Sequence, residues 1–393
     1  MSIGGSSADR ELVTLSPPAD RASAISVTER KDRIAQAQAR LETLGADALL
    51  VNAGASLRYF TGIPWGASER LVAMLLPVSG DPILVCPHFE RGSLEAELAF
   101  PMDMRLWQED EDPYVLVADA FAGSVIALDP ALHFQGSERL RRAAPHATLV
   151  DGAPVIDGCR MRKSAQELAL MQQAKNMTLE VHRRTAAILR PGISTAEVRA
   201  FINDAHKAMG ASGYSFCIVQ FGRGTAFPHG LPGEQYLAED DLVLVDTGCT
   251  VEGYHSDITR TYAFGNVSDE VRSIWNLEKE AQAAAFEAAR PGEPCEAVDA
   301  AARRVLERAG LGPDYRLPGL PHRTGHGIGL SIHEPAYLVR GDRTPLDTGM
   351  CFSNEPMIVV PDRFGVRLED HFYMTGDGPR WFTQPQAAID RIG

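Results

Sequence analysis

The sequence predicts an α+β fold in two parts, and three observations carry that reading. Short apolar strands alternate with helical stretches as far as Val150, which builds an α/β domain of roughly 150 residues. Farther along, two helix pairs share a Pro-Gly break, as in "LRPGISTAEVRAFINDAHKAMG" and "ARPGEPCEAVDAAARRVLERAG", a weak repeat that points to a two-half domain. Apolar runs separated by turn residues mark hairpins in the C-terminal half. The expected division is a flexible arm over 1–25, an N-terminal α/β domain over 26–158 and a C-terminal α+β domain over 159–393.

Each element follows from local pattern. Residues 1–25 are small and polar, with Pro17-Pro18, the composition of a loosely ordered arm. Ile34, Ala37, Leu41 and Leu44 recur on a charged background and predict a helix over Val27–Leu44, with Thr28 as the candidate cap. Ala48–Val51 reads as a strand, and Leu71–Pro77 with Pro82–Cys86, split by Ser79-Gly80-Asp81, as a hairpin. Val125–Leu128 and Ala147–Val150 add strands. A long helix begins near Ser164 and stops before Pro191-Gly192; a second spans Thr195–Met209. The later pair covers Asp269–Ala289 and Cys295–Ala309. Strands are expected at Leu242–Val245, Asp257–Ala263, Cys351–Val360 and Val366–Met374.

Bulk properties narrow the function. A chain of 393 residues with 45% hydrophobic content can bury a large core. Its net charge of −14 argues against a nucleic-acid partner, which favours a basic face. The six cysteines form no C-x-x-C pair and read as buried thiols in a reducing compartment. The N-terminus lacks a basic-then-apolar leader, and no apolar run approaches the ~18 residues of a membrane span. A cytoplasmic location without a membrane partner is the expectation.

Five side chains carry the chemistry. They are Asp246 in Val-Asp-Thr-Gly, Asp257 in His-Ser-Asp-Ile-Thr-Arg, His326 in Gly-His-Gly-Ile-Gly, Glu355 in Asn-Glu-Pro and Glu369 in Arg-Leu-Glu-Asp. Asp246 follows the apolar run Leu-Val-Leu-Val, so its carboxylate emerges at the end of a buried strand. A turn at Glu252-Gly253-Tyr254 brings Asp257 back beside it, and a turn over Pro361–Gly365 does the same for Glu355 and Glu369. Alone, each has a bland reading: a strand-end turn or cap, a surface glutamate before proline, a turn histidine. Jointly, four converging carboxylates would repel one another unless cations lay between them. Four carboxylates and one imidazole suit two divalent ions, manganese, cobalt or zinc.

These motifs resemble the pita-bread metallopeptidases, which include methionine aminopeptidase, aminopeptidase P, prolidase and the metal-free creatinase. The likeness covers roughly residues 160 to 380, and the preceding α/β domain suits the creatinase, aminopeptidase P and prolidase branch. The resemblance implies a pita-bread catalytic domain over 159–393. It also implies that Asp246 chelates one ion and His326 with Glu355 the other, while Asp257 and Glu369 bridge both. Glu355 would carry the proton, His333 in "GHGIGLSIHEP" would stabilise the tetrahedral intermediate, and His229 in "AFPHG" would contact substrate at the scissile bond. His255 is the candidate for orienting a ligand, and nothing elevates His322.

Two expectations concern arginines. Arg367, two positions before Glu369, would pin a carboxylate by a bidentate contact. Arg340 or Arg343 would receive the free carboxylate of a dipeptide; an exposed loop arginine is the open alternative. One departure from the family pattern is Glu-Pro-Met-Ile-Val, where relatives often carry Glu-Pro-Gly-x-Tyr; Val359 stands at the tyrosine position, which puts turnover and substrate preference in doubt. The resemblance is strongest to Xaa-Pro dipeptidases. It implies hydrolysis of the Xaa-Pro bond in dipeptides or short peptides by a metal-bridging hydroxide, with two divalent ions per subunit, manganese first, in a homodimer. The alternatives are an Xaa-Pro aminopeptidase for longer peptides, a creatinase-like or lyase relative, and a non-catalytic peptide-binding protein.

Overall fold

Ala48–Asn52 is buried along its whole length, and the sheet of the N-terminal unit grows from both of its edges. In the computed structural model, which describes residues 3–121 and 123–392, that unit covers Ile25–Arg160. Its six strands run in the order Asp103–Trp107, Ile83–Pro87, Ala73–Pro77, Ala48–Asn52, Val125–Leu128, Thr148–Asp151. Ala73–Pro77 pairs antiparallel with both neighbours, with Ala73 opposite Asn52 and Val85, whereas Asp103–Trp107, Val125–Leu128 and Thr148–Asp151 join in parallel. The helix Val27–Leu44 buries Ile34, Ala37 and Leu41 and ends at Gly45, whose φ of 72° suits glycine. Its cap is Ser26, accepting from the Glu29 amide, and not Thr28: the helix starts at Val27, as expected, so Thr28 falls in its first turn.

The second unit joins the residues up to Ala24 to those from Met161 onward. The expected flexible arm is corrected here. Ala8–Val13 is a helix capped by Ser7, Gly4 donates to the Ala186 carbonyl at 2.8 Å, and Glu11 pairs with Arg184 at 2.8 Å. The physical reason is apolar: Ile3, Ala8, Leu12 and Leu15 pack against the core around Val181 and Phe201. Residues 1 and 2 of that arm lie outside the described residues.

Two helix pairs frame this unit. Ala165–Ala187 and Thr195–Ala208 start at Ser164 and Ser194, each with a capping box closed by Glu167 or Glu197. Asp269–Ala288 and Cys295–Arg308 form the second pair. The repeat seen in sequence has a matching hydrogen-bond pattern. Gly192 donates to Leu237 and Thr195 to Gln235, while Gly292 donates to Leu346 and Cys295 to Thr344. Each Pro-Gly break is thus pinned to the segment leading into a strand of its own half.

The first pair packs on one main sheet and the second pair on another. One orders Ile258–Phe264, Asp241–Gly248, Phe216–Phe221; the other orders Glu334–Leu338, Gly325–Gly327, Cys351–Asn354, Asp370–Thr375, Gly378–Trp381. The long strands expected at Cys351–Val360 and Val366–Met374 are each broken in two. Cys351–Asn354 pairs with Asp370–Thr375, and Met357–Val360 pairs with Phe364–Arg367 as a separate ribbon. Pro356 has no N–H to continue the ladder, and the break falls at Glu355-Pro356 on one chain and Leu368-Glu369 on the other. Among the described residues, no helix is long and apolar enough to cross a membrane.

Candidate metal centre

The two hairpins expected from sequence deliver four carboxylates. Asp246 sits in the ladder opposite Thr259, and Asp257 immediately precedes the returning strand Ile258–Phe264. Asn354 pairs with Asp370 and Met357 with Arg367, so Glu355 and Glu369 face each other across the gap between the two ladders. His326 lies in the short strand Gly325–Gly327, beside Cys351–Asn354.

These side chains meet in the interior. Asp257, His326 and Glu369 each offer a donor atom within 4.8 Å of the other two, and all three are buried. His326 Nε2 stands 3.1 Å from Glu355 Oε1 and 3.8 Å from Asp257 Oδ2. Asp246 Oδ2 accepts from Arg367 Nη2 at 2.6 Å. Arg367 holds Asp246 through one oxygen only, not as the expected bidentate fork. Its Nε goes to Thr259 Oγ1 at 3.0 Å and its Nη1 to the Pro228 carbonyl at 3.2 Å. Thr259 in turn donates to Glu369 Oε2 at 2.9 Å, which ties the two hairpins together.

The electrostatics are those of an anionic cluster out of water. Burial first, then the charges of Asp246 and Glu355, push the Asp257 carboxyl well above its ordinary range. Burial and the charges of Asp257, Glu355 and Asp246 do the same to Glu369. Burial raises Asp246 too, against the opposing pull of Arg367. For Glu355, burial pushes upward, but His326, His322 and Arg367 together hold the carboxyl below the ordinary range.

The donor set fits divalent cations. Asp246 Oδ1, Asp257 Oδ1 and Glu369 Oε1 are buried with no hydrogen-bond partner. Buried anionic oxygens need either protons or positive charge. His326 Nδ1 contacts the Gly327 carbonyl at 3.0 Å; a carbonyl only accepts, so this nitrogen carries a proton and Nε2, which faces the carboxylates, is the nitrogen placed to ligate a cation.

A cavity of about 390 Å³ opens onto this cluster, lined by His229, His322, Arg323, His326, His333, Glu355 and Arg367 together with Pro228 and Pro321. His229 and His333 thus line the same cavity as His326 and Glu355. The His333 and His326 rings meet edge to face at 4.2 Å. Burial, with the neighbouring charges of His326 and Arg323, lowers His333 to about 4, so the ring is neutral at pH 7.

Arg340 and Arg343 are not brought to the cavity. Arg340 is exposed and paired with Asp314 at 2.5 Å; Arg343 is 87% exposed, 4.0 Å from Glu296. Their loop pairs outward with acidic surface residues, which overturns their assignment as cations of this cavity. The arginines that line it are Arg367 and Arg323; the latter lies three residues before His326, with its guanidinium 4.5 Å above the Tyr337 ring. His322, given no role from sequence, lines it as well; the short spacing of both from His326 was the available signal. Val359 packs in an apolar cluster with Leu320 and Met357, and its backbone pairs with Gly319.

Comparison with known proteins gives the same picture. Residues 169–376 match the profile of metallopeptidase family M24, and residues 33–162 that of the creatinase/prolidase N-terminal domain. A probable dipeptidase PepE of Mycobacterium tuberculosis is 39% identical over 354 residues, 88% of this chain and 92% of the relative. An Xaa-Pro dipeptidase of Lactobacillus helveticus is 34% identical over 345 residues, covering 84% and 90%. The crystal structure of dipeptidase PepE from Mycobacterium ulcerans superposes with a TM-score of 0.88 at 38% identity, over 94% of this chain and all of that one.

Proposed function

The chain belongs to metallopeptidase family M24, and from that premise we propose that it is a Xaa-Pro dipeptidase using two divalent ions, manganese first. The observation that carries this reading is the buried meeting of Asp257, His326 and Glu369, flanked by Asp246 and Glu355, at the floor of a dipeptide-sized cavity. Asp246 would hold one ion, His326 and Glu355 the other, with Asp257 and Glu369 shared. When bound, such ions supply Lewis acidity and a water acidic enough to attack at neutral pH.

The chain's own groups supply the rest. Glu355, at 15% exposure the least enclosed of the four carboxylates, accepts a proton from the attacking water and passes it to the leaving amine. Neutral His333 donates a hydrogen bond to the oxygen that becomes negative. His229, at the cavity wall, contacts substrate beside the scissile bond. Arg323 takes the substrate's free carboxylate: Arg367, the other arginine lining the cavity, has donors engaged by Asp246, Thr259 and Pro228. The six free thiols fit a reducing, cytoplasmic setting, and the homodimer implied by the resemblance completes the reading.

The test is hydrolysis of Ala-Pro and Ala-Pro-Ala by chelator-stripped protein before and after Mn²⁺ is added. Ala-Pro should be cleaved only with metal and faster than the tripeptide. Preference for Ala-Pro-Ala would make the enzyme an aminopeptidase instead. A wild-type rate in Asp257→Asn would overturn the metal mechanism altogether.

A further inference from the structure

Lys163 and Glu334 form a buried ion pair outside the cluster of metal donors. Lys163 Nζ bonds Glu334 Oε1, and the side chains are 1% and 5% exposed. Lys163 is anchored through its backbone as well, its N–H donating to the Gly349 carbonyl at 2.8 Å. Glu334 opens the strand Glu334–Leu338 and lies opposite Gly327, one residue past His326, at an irregularity in the register. Gly329 closes over the pair, where a Cβ would come within 2.6 Å of Glu334 Oε1 and 2.9 Å of Lys163 Cε. The loop between His326 and Glu334 is therefore held at its far end by this ion pair, with the Ser331 N–H donating to the second carboxylate oxygen of Glu334 at 3.4 Å.

His333 is the residue immediately before Glu334. Among the described residues its ring makes no side-chain hydrogen bond, and its one close ring partner is His326. Its position therefore follows from the backbone beside it. Burying an ammonium and a carboxylate together adds little stability over an apolar pair, because desolvation offsets the attraction; the best-attested use of such pairs is to fix register. Here the register being fixed is that of the strand whose first residue adjoins His333.

We propose that Lys163 is a positioning residue for His333, acting through Glu334 to hold the ring at the cavity. The inference rests on His333 being the donor to the tetrahedral intermediate. A misplacement of about 1 Å can lower a rate on the order of a hundredfold without weakening binding. Lys163→Met/Glu334→Gln removes both charges, so that no unpaired ion is left buried.

Two measurements on the full chain test it, with thermal unfolding to establish that each variant is folded. In Mn²⁺-loaded protein, the double variant should lose at least about tenfold in kcat on Ala-Pro with KM changed less than about twofold. In a His333→Ala background the same double variant should lose less than about twofold. In metal-free protein labelled at histidine, the His333 ring resonance, assigned by its absence in His333→Ala, should shift in the double variant. An equal loss in both backgrounds, an unchanged kcat, or an unmoved His333 resonance overturns the proposal. If the double variant is unfolded, Lys163→Arg, which keeps the charge and displaces the donor, carries the same comparisons. The resonance needs no turnover, so failure of the peptidase reading leaves this inference decidable.

Discussion

At the scale of single residues, the two arginines that line the cavity differ in what already engages them. Arg367 is 3% exposed and spends its donors on Asp246, Thr259 and the Pro228 carbonyl, so it serves the donor cluster. Arg323 is half-buried, stacked over Tyr337, and faces the same cavity without an ion pair among the described residues. A hydrogen bond to a charged group contributes about 1.5–3 kcal/mol, or roughly ten- to a hundredfold in binding. Arg323→Met should therefore raise KM for Ala-Pro by about tenfold or more with little change in kcat. Steady-state kinetics on Ala-Pro and its C-terminal amide check this, since the amide should be indifferent to the substitution. Unchanged KM for Ala-Pro in the variant would remove Arg323 from the site. The sequence offered Arg340 and Arg343 for this task because they lie between His333 and Glu355. Linear order cannot distinguish a loop that folds over a cavity from one that pairs outward with Asp314 and Glu296.

At the scale of elements, close backbone approach is what lets short strands bring His326 and Glu355 together. A Cβ at Gly325 would come within 2.1 Å of the Ser353 carbonyl oxygen, too near for any side chain. Ser353 Oγ accepts from the His326 amide at 2.9 Å and donates to Glu355 Oε1 at 3.1 Å. Any widening of this strand pair moves both donors. Gly325→Ala should lower unfolding free energy by roughly 3 kcal/mol. Mn²⁺ affinity should fall by at least about tenfold. Urea denaturation and calorimetric titration measure the two effects; retention of both would show that the strands have room to spare.

The same elements mark how far the sequence could be read. The capped helices, the Pro-Gly repeat and the alternating strands were legible because they follow from periodicity and turn chemistry within a few residues. The carboxylates at Asp246 and Glu369 were legible because hairpin turns fix which residues face one another. The break at Glu355-Pro356 was missed, although Pro356 carries a local signal for it, since extended residues flank it on both sides, Cys351-Phe352 before and Met357–Val360 after. The helix Ala8–Val13 was missed for another reason. It is only six residues long, and it is held by apolar contacts with distant helices that composition does not reveal.

For the whole molecule, the donor cluster sets binding against stability. Without cations, the fold must bury Asp246, Asp257 and Glu369 with oxygens that have no hydrogen-bond partner. Their carboxyls are raised above the ordinary values of 3.8 and 4.5, first by burial. The sign of the linkage follows directly. As pH climbs past the ordinary carboxylate range, the unfolded chain releases protons that the metal-free folded chain still holds, so metal-free stability falls with rising pH, by up to about 1.4 kcal/mol per pH unit for each proton retained. Below that range both states are protonated and the penalty disappears. Bound cations replace those protons and stabilise only the folded state. The rise in Tm produced by Mn²⁺ should therefore be larger at pH 8 than at pH 5. Asp257→Asn should raise the Tm of chelator-treated protein at pH 8 while reducing the increment that Mn²⁺ adds. Thermal unfolding of both proteins, with and without chelator at the two pH values, measures all of this. A metal-free Tm that climbs from pH 5 to pH 8 would mean that the carboxylates are neutralised by some other partner and that the cluster does not rely on cations.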